Sequence, residues 1–149
     1  MSLKENIFAA CVQLLNQKIE ELNHSLQQIT EAANNETKST AGDKYETARA
    51  MMQMEQEKLS RQLKEALEQR SQLQKTDISL QHPAVAKGSL ILTDKGYLFL
   101  SVGIGKVQVN GETVIAISPL SPLGKKLMGL QPDDRVEMSG TTYTIKSLA

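Results

Sequence analysis

The sequence has no tryptophan, and only two phenylalanines and three tyrosines. With so few large rings, a single large core is not expected, and an extended shape is plausible. It has one cysteine, Cys11, so neither an internal disulfide nor a cysteine zinc cluster can form. A reducing compartment, the cytoplasm, fits that usage. Neither sign of charge is in surplus: 17 basic residues balance 17 acidic ones. That excludes a general nucleic-acid coat, which needs a basic excess against phosphates, though not a local patch. The opening stretch MSLKENIFAACVQLLNQ lacks a long apolar run, so neither a signal peptide nor a membrane span is expected.

Proline and glycine are scarce in only part of the chain. All four prolines and all but one of the nine glycines follow Lys75. Before it the chain is rich in Gln, Glu, Lys, Leu, Met and Ala, and helical in its preferences. After it come runs of Val, Ile, Thr and Leu, broken by turn residues. The composition changes over KTDISLQHP, residues 75–83, which predicts two domains, 1–76 and 77–149.

In the first domain, apolar residues recur at Phe8, Cys11, Leu15, Ile19, Leu22, Leu26, Ile29 and Ala33. Most steps alternate between three and four, a coiled-coil seam with one irregularity near Ile19. A looser seam follows at Ala48, Met52, Leu59, Leu63, Ala66 and Leu73, with Glu and Gln at other seam-like positions. Each segment of about thirty residues predicts a helix roughly 45 Å long. Asn34, Asn35, Ser39, Thr40 and Gly42 separate them with stop-and-start signals. An antiparallel hairpin with its tip near residues 35–46 is the simplest outcome. One long parallel dimer is the alternative, against which Gly42 and the asparagine pair speak.

The second domain reads as a small antiparallel α+β unit. Strands are expected over residues 89–93, 97–102, 106–109, 112–118, 134–138 and 141–148. Asn110-Gly111 is a strong hairpin signal, because both residues accept positive φ. A short helix is expected within 121–130, with Ser121 as cap and Pro122 in the first helical position. At about seventy residues this domain has a marginal core, so the coiled coil is expected to pack against it.

Two carboxylates, Asp43 and Glu46, stand three apart near the predicted tip, on one helical face. Such pairs open helices routinely: Thr40-x-x-Asp43 is a capping box, and acids in a first turn suit the helix dipole. They are equally the donors that a hard cation such as Mg²⁺ takes alongside substrate phosphates. The two roles are compatible. Gly103-Ile104-Gly105-Lys106 lacks the ending of a phosphate loop and no helix pattern follows, so it reads as a turn. His24 and His82 have no ligand-like company. Met51, Met52 and Met54 read as seam and flank packing, and Lys125-Lys126 as solvated charge. No nucleophile–base constellation of a stand-alone hydrolase is present.

Residues 121–138, SPLGKKLMGLQPDDRVEM, resemble the Gre family of bacterial transcript-cleavage factors. The likeness lies in Ser121, Pro122, Leu123, Gly124, Leu127, Met128, Gly129, Asp133, Asp134, Val136 and Glu137, with VAKGS at 85–89 in support. At the tip, Gly42, Asp43, Glu46 and Ala48 match the family run. Lys44-Tyr45, Thr47 and Arg49 depart from it and make the neighbourhood more basic. The resemblance implies an FKBP-like second domain docking on RNA polymerase, and a coiled coil reaching down its secondary channel. It implies Asp43 and Glu46 as accessory ligands of a Mg²⁺ in the polymerase site, assisting hydrolysis of backtracked RNA. On that reading the chain is a monomer and not itself an enzyme. It holds no tight cofactor and meets nascent RNA only indirectly. The partner-binding residues implied are Leu120, Ser121, Pro122 and Leu123, with Leu120 where the family commonly has Asp or Asn. Two alternatives stand beside it: a Gre-fold polymerase regulator without cleavage activity, and a coiled-coil adaptor.

Overall fold

The computed structural model describes residues 2–39 and 43–149, with side chains for 2–35 and 46–149. Two long helices come first, α1 (Leu3–Ser39) and α2 (Asp43–Gln74). Strands β1 (Leu90–Thr93), β2 (Gly96–Leu100), β3 (Gly105–Val109) and β4 (Glu112–Ile117) follow. Then come helix α3 (Pro122–Leu127) and strands β5 (Arg135–Met138) and β6 (Thr141–Leu148). The fold class is α+β: a pair of long helices, a six-stranded sheet and one short helix. Contacts divide the chain into two compact units, one of Leu14–Arg70, the other of Met1–Gln13 with Ser71–Ala149.

In the helical unit, Leu15, Ile19 and Leu22 of α1 and Ala66 of α2 are buried. Ile19, Leu22 and Ala66 form its core, flanked by Leu59 and Leu63. Farther along, Leu26, Ile29 and Ala33 are half-buried, as are Ala48, Met52 and Gln56 on α2. Two cross-helix hydrogen bonds fix direction and register. Arg70 Nη1 donates to Asn16 Oδ1 at 2.9 Å, and Gln56 Nε2 to Thr30 Oγ1 at 3.2 Å. Fourteen residues forward on α1 correspond to fourteen back on α2, so the helices are antiparallel and in step. Gln56 holds a seam position because Thr30 satisfies it, and Thr30 in turn donates to the Leu26 carbonyl.

The first turn of α1 is capped by Ser2. The Glu5 amide donates to Ser2 Oγ at 3.1 Å, and that hydroxyl donates to the Glu5 carboxylate at 3.2 Å. The buried stripe here is Lys4, Ile7 and Cys11. Ile7, and not the expected Phe8, is fully buried; Phe8 is half-buried. The reason is geometric. Ile7, Cys11, Leu15 and Ile19 are each four apart, and every step of four turns the stripe by roughly 40° on a 3.6-residue helix. The irregularity near Ile19 thus extends to the N-terminus.

The sheet order is β3-β4-β2-β1-β6-β5. Four pairings are antiparallel, and β2 with β4 is parallel, Tyr97 facing Val114 and Leu100 facing Ile117. Here β3 is itself the return strand, so the β3–β4 hairpin inserts β4 beside β2. Asn110 and Gly111 both have positive φ, 52° and 80°, as do Ser139 and Gly140, 51° and 80°. These are the turns whose twist suits two-residue hairpin loops. One sheet face carries Ile91, Leu98 and Leu100, packed with Val85, Leu127, Val136 and Ile145. Residues of the alternate parity, Leu90, Phe99, Val114 and Ala116, are buried as well. Ile7, Cys11 and Leu73, from the helix ends, are buried within the same unit.

Candidate functional site

The turn after β4 is built from its own hydroxyls. Ser118 Oγ accepts from the Leu120 amide at 3.1 Å. Ser121 Oγ donates to the Ser118 carbonyl at 2.7 Å and accepts from the Gly124 amide at 3.1 Å. Ser121 is the N-cap of α3, extended at φ −67° and ψ 159°, with Pro122 in the first turn. A Cβ on Gly124 would lie 2.0 Å from the Ser118 oxygen and 3.0 Å from Pro119 Cα. Only glycine therefore lets α3 lie this close to the turn.

That construction sorts the expected partner-binding residues. Leu120 is 78% exposed, and Pro122 is exposed beside it. The Ser121 hydroxyl is spent on the cap. Leu123 packs against the sheet core. Met128 at the end of α3 is partly exposed, and Lys126 reaches the Glu137 carbonyl at 2.8 Å. Leu120 and Pro122 are thus the members of the quartet that face solvent.

At the helix junction, Asp43 opens α2 and Glu46 lies one turn in. Glu46 is exposed. The side chain of Asp43, and residues 40–42, lie outside the described residues, so the separation of the two carboxylates is not defined. Met51 and Met54 on α2 are 67% and 69% exposed, so they do not fill the seam; half-buried Met52 does. His24 and His82 are exposed. Gly105, at φ 93°, begins β3, so the Gly-Ile-Gly-Lys stretch leads into a strand. Among the described residues, no three His, Cys, Asp or Glu side chains converge as a metal site, and no helix is long and apolar enough to cross a membrane.

One feature of the sheet unit escaped the sequence. Lys4 is buried, and its Nζ donates to the Leu80 carbonyl at 3.2 Å. Burial pushes its pKa below the usual lysine value, and the nearby Asp77 charge partly offsets this. Asp77 is itself held below the usual carboxylate range by the Ser79 hydroxyl and amide. Asp94 is held low by the Thr144 amide at 2.8 Å and by Lys95 at 2.9 Å. The available signal for Lys4 was its place on the 4-7-11 stripe.

Neither protein-family profiles nor curated protein sequences match this chain. Among solved structures, that of the transcription factor Gfh1 aligns over 93% of this chain and 93% of its own. The identity is 15% and the TM-score 0.38.

Proposed function

We propose that this chain is a Gre-like regulator of RNA polymerase that assists the polymerase's own hydrolysis of backtracked RNA. The observation that carries this reading is the in-step antiparallel pairing of α1 with α2, maintained from Asn16–Arg70 to Thr30–Gln56. Such a pair is a slender, stiff carrier, and its helix junction holds Asp43 and, exposed, Glu46. The resemblance of residues 121–138 supplies the partner, and the outward Leu120 and Pro122 supply a surface for it.

In this reading Leu120 and Pro122 contact polymerase, while the Ser121 cap and Gly124 hold their turn. Asp43 and Glu46, anchored on the start of α2, offer two hard oxygen donors, a set suited to Mg²⁺. They would help hold a Mg²⁺ in the polymerase's own site, where the ion would supply charge stabilisation for a phosphoryl displacement. The chain contributes ligands and position; the catalytic centre is the partner's.

The test is RNA cleavage in stalled, backtracked elongation complexes of the host polymerase. Wild type is compared with Asp43→Asn/Glu46→Gln after a binding check on both. Stimulated cleavage that the double variant loses, with binding kept, is the expected result. Binding without cleavage by either protein would make the acids helix-start residues and the chain a channel-occupying regulator. Absence of binding would sink the polymerase reading and favour the adaptor.

A further inference from the structure

The β3–β4 hairpin carries reactive groups that the proposed function does not use. Its turn is Asn110-Gly111, with φ 52° and 80°, the left-handed pair of a two-residue loop. Both residues are exposed. A Cβ built on Gly111 would meet nothing within 4 Å, so no side chain covers its amide nitrogen. Among the described residues that N–H has no acceptor. The cross-strand bond beside the turn joins Gln108 Nε2 to Thr113 Oγ1 at 2.7 Å and leaves the Asn110 side chain out. An uncovered amide side chain therefore stands next to an uncovered backbone nitrogen.

Those two groups react with each other. The Gly111 nitrogen gives its proton to base and bonds to Asn110 Cγ, closing a succinimide ring. The Cγ–Nδ2 bond breaks and ammonia leaves. Water then opens the ring. Attack at Cγ gives aspartate; attack at the Asn110 backbone carbonyl gives isoaspartate. A water is consumed and an ammonia released, with no oxidation or reduction. Glycine favours the closure because no side chain obstructs it. Closure rotates Asn110 out of its turn conformation, so the step follows a local opening of the hairpin. Strand β3 ends the sheet with β4 as its single partner, so that opening breaks one ladder only. The other asparagines, Asn6, Asn16, Asn23, Asn34 and Asn35, all lie in α1, and none precedes a glycine. Helical hydrogen bonding holds the amide that follows each of them.

We propose that Asn110 is a site of spontaneous deamidation, closed by the Gly111 nitrogen, and that its isoaspartyl product loosens β3 from the sheet. Isoaspartate routes the backbone through Cβ and Cγ and so lengthens the turn by a methylene. The two-residue loop sets the register that pairs Val109 with Glu112 and Val107 with Val114. The longer turn no longer fits that register, and Val107 and Val109, both buried, lose their cover. Ordinary aspartate leaves the backbone length unchanged and keeps the hairpin. The site rests on the sheet unit alone and does not depend on the polymerase reading.

The test is incubation of the folded full chain in mildly alkaline buffer, followed by tryptic mapping, isoaspartate assay and amide hydrogen exchange. A synthetic peptide of residues 107–125 sets the timescale of the unrestrained reaction. The expected result is the small mass gain of an amide becoming an acid, confined to the tryptic peptide Val107–Lys125 that holds Asn110. Isoaspartate should be found at position 110, and the Val107 and Val109 amides should exchange faster in the modified chain. Asn110→Gly suits the positive φ and removes the side-chain amide, so it should gain no mass and accumulate no isoaspartate. Asn110→Asp puts in the ordinary acid and should keep wild-type exchange in β3. Circular dichroism checks each variant's fold, and the map of the wild-type chain decides by itself if a variant fails it. An unmodified Asn110 after the free peptide has converted, or equal modification of the α1 asparagines, would overturn the site. Isoaspartate at position 110 with unchanged exchange at Val107 and Val109 would overturn the loosening of β3.

Discussion

Gly124 is the residue on which the α3 turn depends. Its φ is unexceptional, so the demand for glycine comes from contact: the Ser118 carbonyl occupies the place of a Cβ. Gly124→Ala must move the turn or the helix, and should destabilise the protein by about 2 kcal/mol, as overpacked sites do. Urea denaturation measures this, and an unchanged midpoint would refute the contact argument. Cys11 makes a different residue-scale prediction. Burial pushes its thiol up to about 11. An unfolded thiol ionises near 8.5. Between those values the unfolded chain releases a proton that the folded chain retains. The contribution is therefore complete below the unfolded pKa and lost as pH rises towards about 11. Lys4 works in the opposite direction: its depressed pKa means that raising the pH relieves a buried charge. The clean readout is the difference between wild type and Cys11→Ala, whose stability should fall less steeply with pH above about 9. Parallel alkaline slopes would place Cys11 in a wetter site.

At the scale of elements, the helical pair is held by a thin seam. Its buried core is Ile19, Leu22 and Ala66, with half-buried leucines around it. Leu22→Ala should cost about 2 kcal/mol, the lower end for a core truncation, because Leu22 keeps some exposure. The loss should show in helical circular dichroism during thermal melting; no change in the melt would mean that the seam is not what holds α1 to α2. Most element types were readable beforehand. The three-four spacing marks both helices, Asn110-Gly111 and Ser139-Gly140 mark hairpin turns, and Ser121-Pro122 marks the start of α3. Three features were not readable, each for a physical reason. Ile7 displaces Phe8 because stripe drift depends on which neighbours the helix meets. The parallel β2–β4 pair arises because strand order depends on how the β3–β4 hairpin docks, which alternation does not encode. The Gly124 contact joins backbones whose proximity no local pattern expresses.

At the scale of the molecule, the polymerase reading requires a single chain whose helices pair with each other, whereas an adaptor reading prefers two chains. Light scattering should return 16.4 kDa; a stable dimer would move the adaptor forward. The sequence by itself determined the α+β class, the long helices before the sheet, the turn chemistry and the candidate pair Asp43 and Glu46. These are local properties: periodicity, propensity and side chains that bond within a few residues. Only the tertiary structure decided that the ends of α1 and α2 join the sheet in one compact unit. It alone divided Leu120 and Pro122, facing solvent, from Ser121 and Leu123, spent on cap and core. It alone put Lys4 on the wall of one cleft with Leu90, Leu92 and Tyr97. Those outcomes depend on which surfaces far apart in the chain exclude water together, and burial of that kind is a property of the packed whole.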